Sequence, residues 1–156
     1  MPDAALTKVE AALKSALEAY GSLSGTTILT DQTIDVALED DQIPAIVIRT
    51  VGYSFDPNWE NASQTLHTAT IDFESVTKSP ASIISQANHT ALAYVLAALA
   101  ADRNLGGMVQ DIQEQDLAPS DANGKDAGAA SLQFSVQFFT PQDDWFTIKG
   151  VNGATF

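Results

Sequence analysis

The chain contains no cysteine and few cations. Without cysteine there is neither a disulfide framework nor a thiolate metal site. Seven Lys and Arg stand against twenty Asp and Glu, a formal net charge of −13. Gripping a phosphate backbone or an anionic lipid surface requires clustered Lys and Arg, so tight binding to either is not expected. No apolar run approaches the ~20 residues that a membrane span needs. The opening Met-Pro-Asp-Ala-Ala-Leu has no basic region and no apolar core, so no secretory leader is expected and the product is expected in the cytoplasm. Histidine is scarce as well. Neither His67 nor His89 has a carboxylate or a second histidine at helical metal spacing, and no Gly-x-Ser-x-Gly elbow occurs.

What is present is enough apolar material for a core. Hydrophobic residues make up 45% of 156, which suits one folded domain over 1–156. The stretch 79–107 predicts the longest helix. Ser79 is a suitable N-cap and Pro80 sits at the first helical position, where a missing N–H costs nothing. Ile84, Asn88, Ala91, Leu92, Val95, Leu96 and Leu99 share one stripe. Arg103 near the last turn complements the dipole or pairs with a carboxylate, and Gly106 and Gly107 supply the stop. An earlier helix is predicted over 3–20, with Asp3 as cap, Leu6, Val9, Leu13, Ala16, Leu17 and Tyr20 inward, and Gly21 at its end.

Strands are predicted over 26–30, 34–38, 44–51, 66–76, 108–115 and 131–140. In 44–51, Ile46 and Ile48 oppose Val47 and Val51, so both faces carry apolar residues, as in a central strand or a sheet with a second covered face. In 66–76, His67, Ala69, Ile71 and Phe73 share one face. In 131–140, Leu132, Phe134, Val136 and Phe138 point inward, and Gln133, Ser135 and Gln137 point outward. Residues 52–63 read as a long loop or hairpin tip. Its Tyr53, Phe55 and Trp59 either fold back on the core or meet a partner. Residues 116–128 read as a loop, and 145–156 as an apolar-leaning tail, mobile until it docks. The order α-β-β-β-β-α-β-β predicts an α+β fold: an antiparallel sheet with two main helices on one face.

No catalytic constellation emerges, so no enzyme is expected, and no metal or cofactor. Asp121-Ala-Asn-Gly-Lys-Asp126 has its glycine at the wrong place for a calcium loop and lacks the closing Glu. His67 on an apolar strand face reads as a satisfied core histidine. A hydrolase reading would pair it with Asp72 or Glu74, which lie on the opposite face of a regular strand. The main alternative is a small-molecule-binding α+β module whose apolar pocket is lined by Phe73, Phe134 and Phe138.

Four segments occur in a telling order: Ile43-Pro-Ala-Ile-Val-Ile48, Leu66-His-Thr-Ala-Thr-Ile-Asp-Phe73, Asp102-Arg-Asn-Leu-Gly-Gly107 and Thr140-Pro-Gln-Asp-Asp-Trp145. In this order and spacing the chain resembles the tail terminator (tail completion) proteins of long-tailed phages and gene transfer agents. It departs from them at the extra Asp of Asp143-Asp144 and in the trailing segment 148–156. The resemblance implies a structural virion protein, made in the host cytoplasm, that forms a homohexameric ring at the head-proximal end of the tail. Such a ring stops polymerisation of the tail tube protein and joins the tail to the head–neck connector protein, with DNA passing through the bore without tight binding and no role for a membrane. On that reading Tyr53, Phe55, Trp59, Gln133, Ser135, Gln137, Trp145 and Phe156 are candidate partner or subunit contacts. Glu39, Asp40, Asp41, Asp116, Asp121 and Asp126 are candidate acids of the bore or of a partner-facing surface. Arg103, Gly106 and Gly107 are structural residues of the helix end.

Overall fold

The computed structural model describes residues 3–30, 42–59, 63–78, 84–121 and 127–156. Its elements are α1 (Ala5–Glu18), β1 (Thr27–Thr30), β2 (Ala45–Trp59), β3 (Gln64–Lys78), α2 (Ile84–Ala101), β4 (Asp111–Asp121) and β5 (Ala127–Pro141). Single 3-10 turns at Gly21–Leu23 and Val151–Gly153 complete them. The fold is α+β, with the predicted order of helices and strands. The strand predicted over 34–38 lies outside the described residues, as do Ser79 and Pro80.

The strands form one five-stranded sheet in the order β1-β2-β3-β5-β4. Three pairings are antiparallel, but β1 runs parallel to β2, with Thr27 opposite Ala45 and Thr30 opposite Ile48. The sheet is therefore mixed. The link over 31–44 is long enough to carry the chain back to the same end of the sheet, as a parallel pair requires and a tight hairpin forbids.

Period-two alternation sets which face each strand residue occupies. Ile46, Ile48, Ala69, Ile71, Phe73, Phe134, Val136 and Phe138 line one face and are fully buried. They pack with Val9, Leu13 and Leu17 of α1 and with Leu92, Val95 and Leu99 of α2 in a single core. Burying one such side chain contributes about 1.5–3 kcal/mol. Phe73, Phe134 and Phe138 are thus core residues, and the rings of Phe73 and Phe134 meet edge-on at 5.3 Å. On β2 the opposite face is apolar too: Val47 is buried, whereas Val51 is exposed.

Several boundaries differ from expectation. Residues 52–59 are strand, not loop, and pair with β3 through Tyr53 opposite Ala69 and Phe55 opposite His67. The turn-forming residues there are absorbed by register shifts between Thr50 and Gly52 and between Asp56 and Trp59. Likewise 116–121 continues β4, with Asp116 opposite Gln133 and Asp121 opposite Ala129. β4 lies at the sheet edge, and Pro119 falls within its register shift between Ala118 and Asp121. β4 begins at Asp111, after a turn at 108–110 that leads out of the helix end. At the first helix the N-cap is Ala4 rather than Asp3, and Gly21 opens a 3-10 turn rather than ending the helix.

The segment 145–156 is docked. The amide of Lys149 donates to Phe139 O at 2.8 Å, and Ile148 and Phe156 exchange both backbone hydrogen bonds. Ile148 is buried in the core. Gly107, at φ 94°, adopts a backbone that L side chains avoid, and its carbonyl accepts from Val151 N at 2.8 Å. A Cβ on Gly150 would run into that same carbonyl and the Phe156 ring. The predicted stop lies farther on than the helix end: α2 finishes at Ala101, and the turn that follows, through Gly106 and Gly107, is where the tail docks at Gly150.

Candidate functional site

The register places His67 between β2 and β5, opposite Phe55 on one side and Phe138 on the other. The imidazole is buried. Its Nδ1 shares a short hydrogen bond with the Tyr53 hydroxyl, and its Nε2 lies 2.8 Å from Thr140 Oγ1. Both partners are neutral. Burial pushes the His67 pKa down to about 4, so the ring is uncharged at neutral pH. The same effect pushes the Tyr53 phenol up to about 12. His67 stacks on Phe138 at 4.8 Å and receives the edge of Trp145 at 5.0 Å. Asp72 and Glu74 lie on the other face of β3, opposite Arg49 and Val47. The arrangement holds a neutral histidine in place and supplies no acid to activate it.

Above this buried network the aromatic side chains reach the surface. Trp145 meets Phe55 edge-on at 5.1 Å and Tyr53 at 6.2 Å. Phe55 is 53% exposed, and Tyr53, Trp145, Phe146 and Phe156 are also exposed. Tyr53 and Trp145, with Ala4, Ala5 and Leu6 at the start of α1, line a notch of about 240 Å³ walled almost wholly by carbon. Trp145 O accepts from Ala5 N at 2.7 Å, which fixes one wall of the notch to the other. Lys8 Nζ donates to the carbonyls of Phe146 and Phe156 at 2.6 and 3.3 Å. The fold thus joins three of the sequence-predicted contacts, Tyr53, Phe55 and Trp145, while Phe156 shares Lys8 with Phe146. Trp59 pairs with Gln64 through its backbone, and its side chain lies outside the described residues.

The helix-free face of the sheet carries the other predicted contacts. Gln133, Ser135 and Gln137 stand opposite Asp72, Thr70 and Thr68. Arg49 bridges to Glu74 at 2.9 Å on this face. Burial raises the pKa of the Asp72 carboxyl, opposed by the Arg49 guanidinium, and Glu74 adds to the rise while a Ser131 hydrogen bond lowers it. Asp72 Oδ1 and Arg49 Nε are buried without a hydrogen-bond partner among the described residues.

Asp116 is exposed on the edge strand, away from the aromatic end. Asp121 closes that strand, and its side chain lies outside the described residues, as do Glu39, Asp40, Asp41 and Asp126 entirely. Arg103 does not cap the helix carbonyls. It donates to Ile112 O at 2.6 Å and pairs with Glu114 at 3.0 Å, tying the end of α2 to β4. The buried Asn88 on the helix stripe accepts from Ser75 Oγ at 3.0 Å and donates to Gly128 O at 3.0 Å. A second cavity, about 460 Å³, lies at the other end of α2 beside Leu23, Pro44, Gln86 and Tyr94. Among the described residues no group of three or more His, Asp and Glu is placed to hold a metal, and no helix is long and apolar enough to cross a membrane.

Sequence reasoning missed two parts of the site. Tyr53 and Thr140 as the partners of His67 needed the strand register, and the notch needed the docking of Trp145 on α1. Fold and site together define a single-sheet α+β domain with an aromatic surface at one end and a second sheet face on which none of the described helices lies. No known family model matches the chain, and a search of characterised proteins finds no relative.

Proposed function

We propose that this chain is a ring-forming structural protein of a phage-type tail, acting at the head-proximal end to stop the tube and join it to the connector. The observation that carries the reading is the exposed aromatic end. An isolated small domain gains nothing from presenting Phe55, Trp145 and Phe146 to water, whereas aromatic side chains dominate protein–protein contact energies. The order of motifs that resembles the tail terminators supplies the assembly context. The only buried imidazole is held by neutral hydroxyls, which favours a structural role over hydrolysis.

In this reading neighbouring copies meet through unlike surfaces, as a closed ring requires. The uncharged stripe of Gln133, Ser135 and Gln137 with Thr68 and Thr70 is one such surface, and the aromatic end is left for an axial partner. The negative charge lets DNA pass, because binding to phosphate depends on Lys and Arg displacing counterions. The test is native mass spectrometry of the purified protein, together with the stoichiometry in assembled particles. A hexamer in either sample supports the ring. Absence from particles, or a single copy per particle, sinks it.

A further inference from the structure

We propose that the aromatic end is a docking site for a basic segment of a different protein, whose aliphatic side chain enters the notch between Tyr53 and Trp145. The inference deepens the reading of this end as a partner surface and rests on that part alone, so peptide binding and oligomeric state are measured separately.

The notch supplies the apolar half. Its walls are Ala4, Ala5, Leu6, Tyr53 and Trp145, and about 240 Å³ holds one branched aliphatic side chain with room to spare. Those walls are held in place before any partner arrives. Trp145 is braced by the edge contact to His67, by Phe55 and by the bond from Ala5 N, and Tyr53 is braced by its bond to His67 Nδ1. A preformed site avoids the ordering cost that weakens most small interfaces.

The rim supplies the charge. Asp3 directly precedes the notch residue Ala4, and Asp143 and Asp144 precede Trp145. Asp3 and Asp143 are exposed, and Asp144 accepts from Phe146 N at 2.9 Å. Lys8, the cation beside the patch, donates to two main-chain carbonyls and offsets Asp144, which leaves Asp3 and Asp143 as the free charge of the rim. An apolar pocket rimmed by carboxylates complements an aliphatic residue flanked by Lys or Arg. A second copy of this chain is a poor occupant of the notch, because its few Lys and Arg are scattered and none of its segments sets an aliphatic residue between cations. Nucleic acid and anionic membranes are disfavoured by the net charge of −13.

The probe is a fluorescein-labelled peptide, Gly-Lys-Arg-Leu-Arg-Lys-Gly, titrated with the full chain and followed by fluorescence anisotropy. Two peptide controls replace the Leu by Ser, or all four flanking cations by Glu. We expect saturable binding that weakens at least about tenfold for the Ser peptide and vanishes for the Glu peptide. On the protein side, Phe55→Ser and the pair Asp3→Lys with Asp143→Lys should each weaken binding by about tenfold in variants whose circular dichroism shows the native fold. The peptide controls leave the protein untouched, so they decide the matter even if a variant fails to fold. Equal binding of the Leu and Ser peptides would mean charge alone and would overturn the pocket. No binding of the Leu peptide overturns the proposal. So does self-association that Phe55→Ser abolishes, because the surface then belongs to a second copy.

Discussion

The two faces of β3 bury polar groups in opposite ways. On the helix side His67 is neutral, and both ring nitrogens are satisfied by hydroxyls from the two adjacent strands. Five residues on, and on the other face, Asp72 carries a carboxyl that burial pushes towards its neutral form and Arg49 pulls back. One oxygen of that carboxyl and the Nε of Arg49 lack hydrogen-bond partners among the described residues. A neutral group can be made wholly at home by two hydroxyls, whereas a buried charge needs more donors and acceptors than one strand neighbour provides. The helix side is therefore a finished core. The helix-free side keeps unspent hydrogen-bonding capacity next to the uncharged stripe that we assign to a neighbouring copy.

The sharpest way to break this contrast is His67→Ala. It removes the stack on Phe138, loses the support of Trp145, leaves the Thr140 hydroxyl unpaired in the interior and takes the partner from the Tyr53 hydroxyl. We expect a loss of about 3–5 kcal/mol in urea denaturation. A loss below about 1 kcal/mol would mean that the network is not part of the core.

Acid should act on the same residue. His67 titrates near 4 in the folded chain and near 6.5 when unfolded, so below 6.5 the unfolded state takes up the proton that the folded state refuses. The contribution is whole above pH 6.5 and is lost as pH falls from 6.5 to about 4. We expect about 2–3 kcal/mol over that window. In His67→Phe that part of the slope of stability against pH should be missing, and a slope unchanged from wild type would show that another group causes it.

On the helix-free face, Arg49→Ala should cost about 2–3 kcal/mol at neutral pH, because it leaves Asp72 and Glu74 as neighbouring carboxylates with no cation between them. Asp72→Asn should restore part of that loss in the double variant. Additive losses instead would mean that the two side chains do not communicate.

The smallest effect is expected at Arg103, whose contacts to Ile112 O and Glu114 lie at the surface. Arg103→Ala should lower the melting temperature less than Arg49→Ala does, and the gap between it and wild type should narrow in high salt. A larger drop than that of Arg49→Ala would reverse the ranking of the two ion pairs.

Much of this molecule follows from the order of its residues. Alternation put Phe134, Val136 and Phe138 on one face and Gln133, Ser135 and Gln137 on the other, because side chains of a strand alternate whatever it pairs with. The helical stripe through Leu92, Val95 and Leu99 is equally local, set by 3.6-residue periodicity, whereas the helix ends at Ala101, ahead of the predicted stop at Gly106-Gly107. Tertiary structure alone decided the rest. Strand pairing converted 52–59 from a turn-rich stretch into β2, since hydrogen bonds from β3 outweigh local turn preference. The parallel entry of β1 depended on where a distant link delivers the chain. The partners of His67 lie 14 and 73 positions away in sequence, and the notch joins α1 to Trp145 across almost the whole chain. Such contacts carry no local signature, because periodicity records which face a side chain takes and not which strand or helix will stand opposite it.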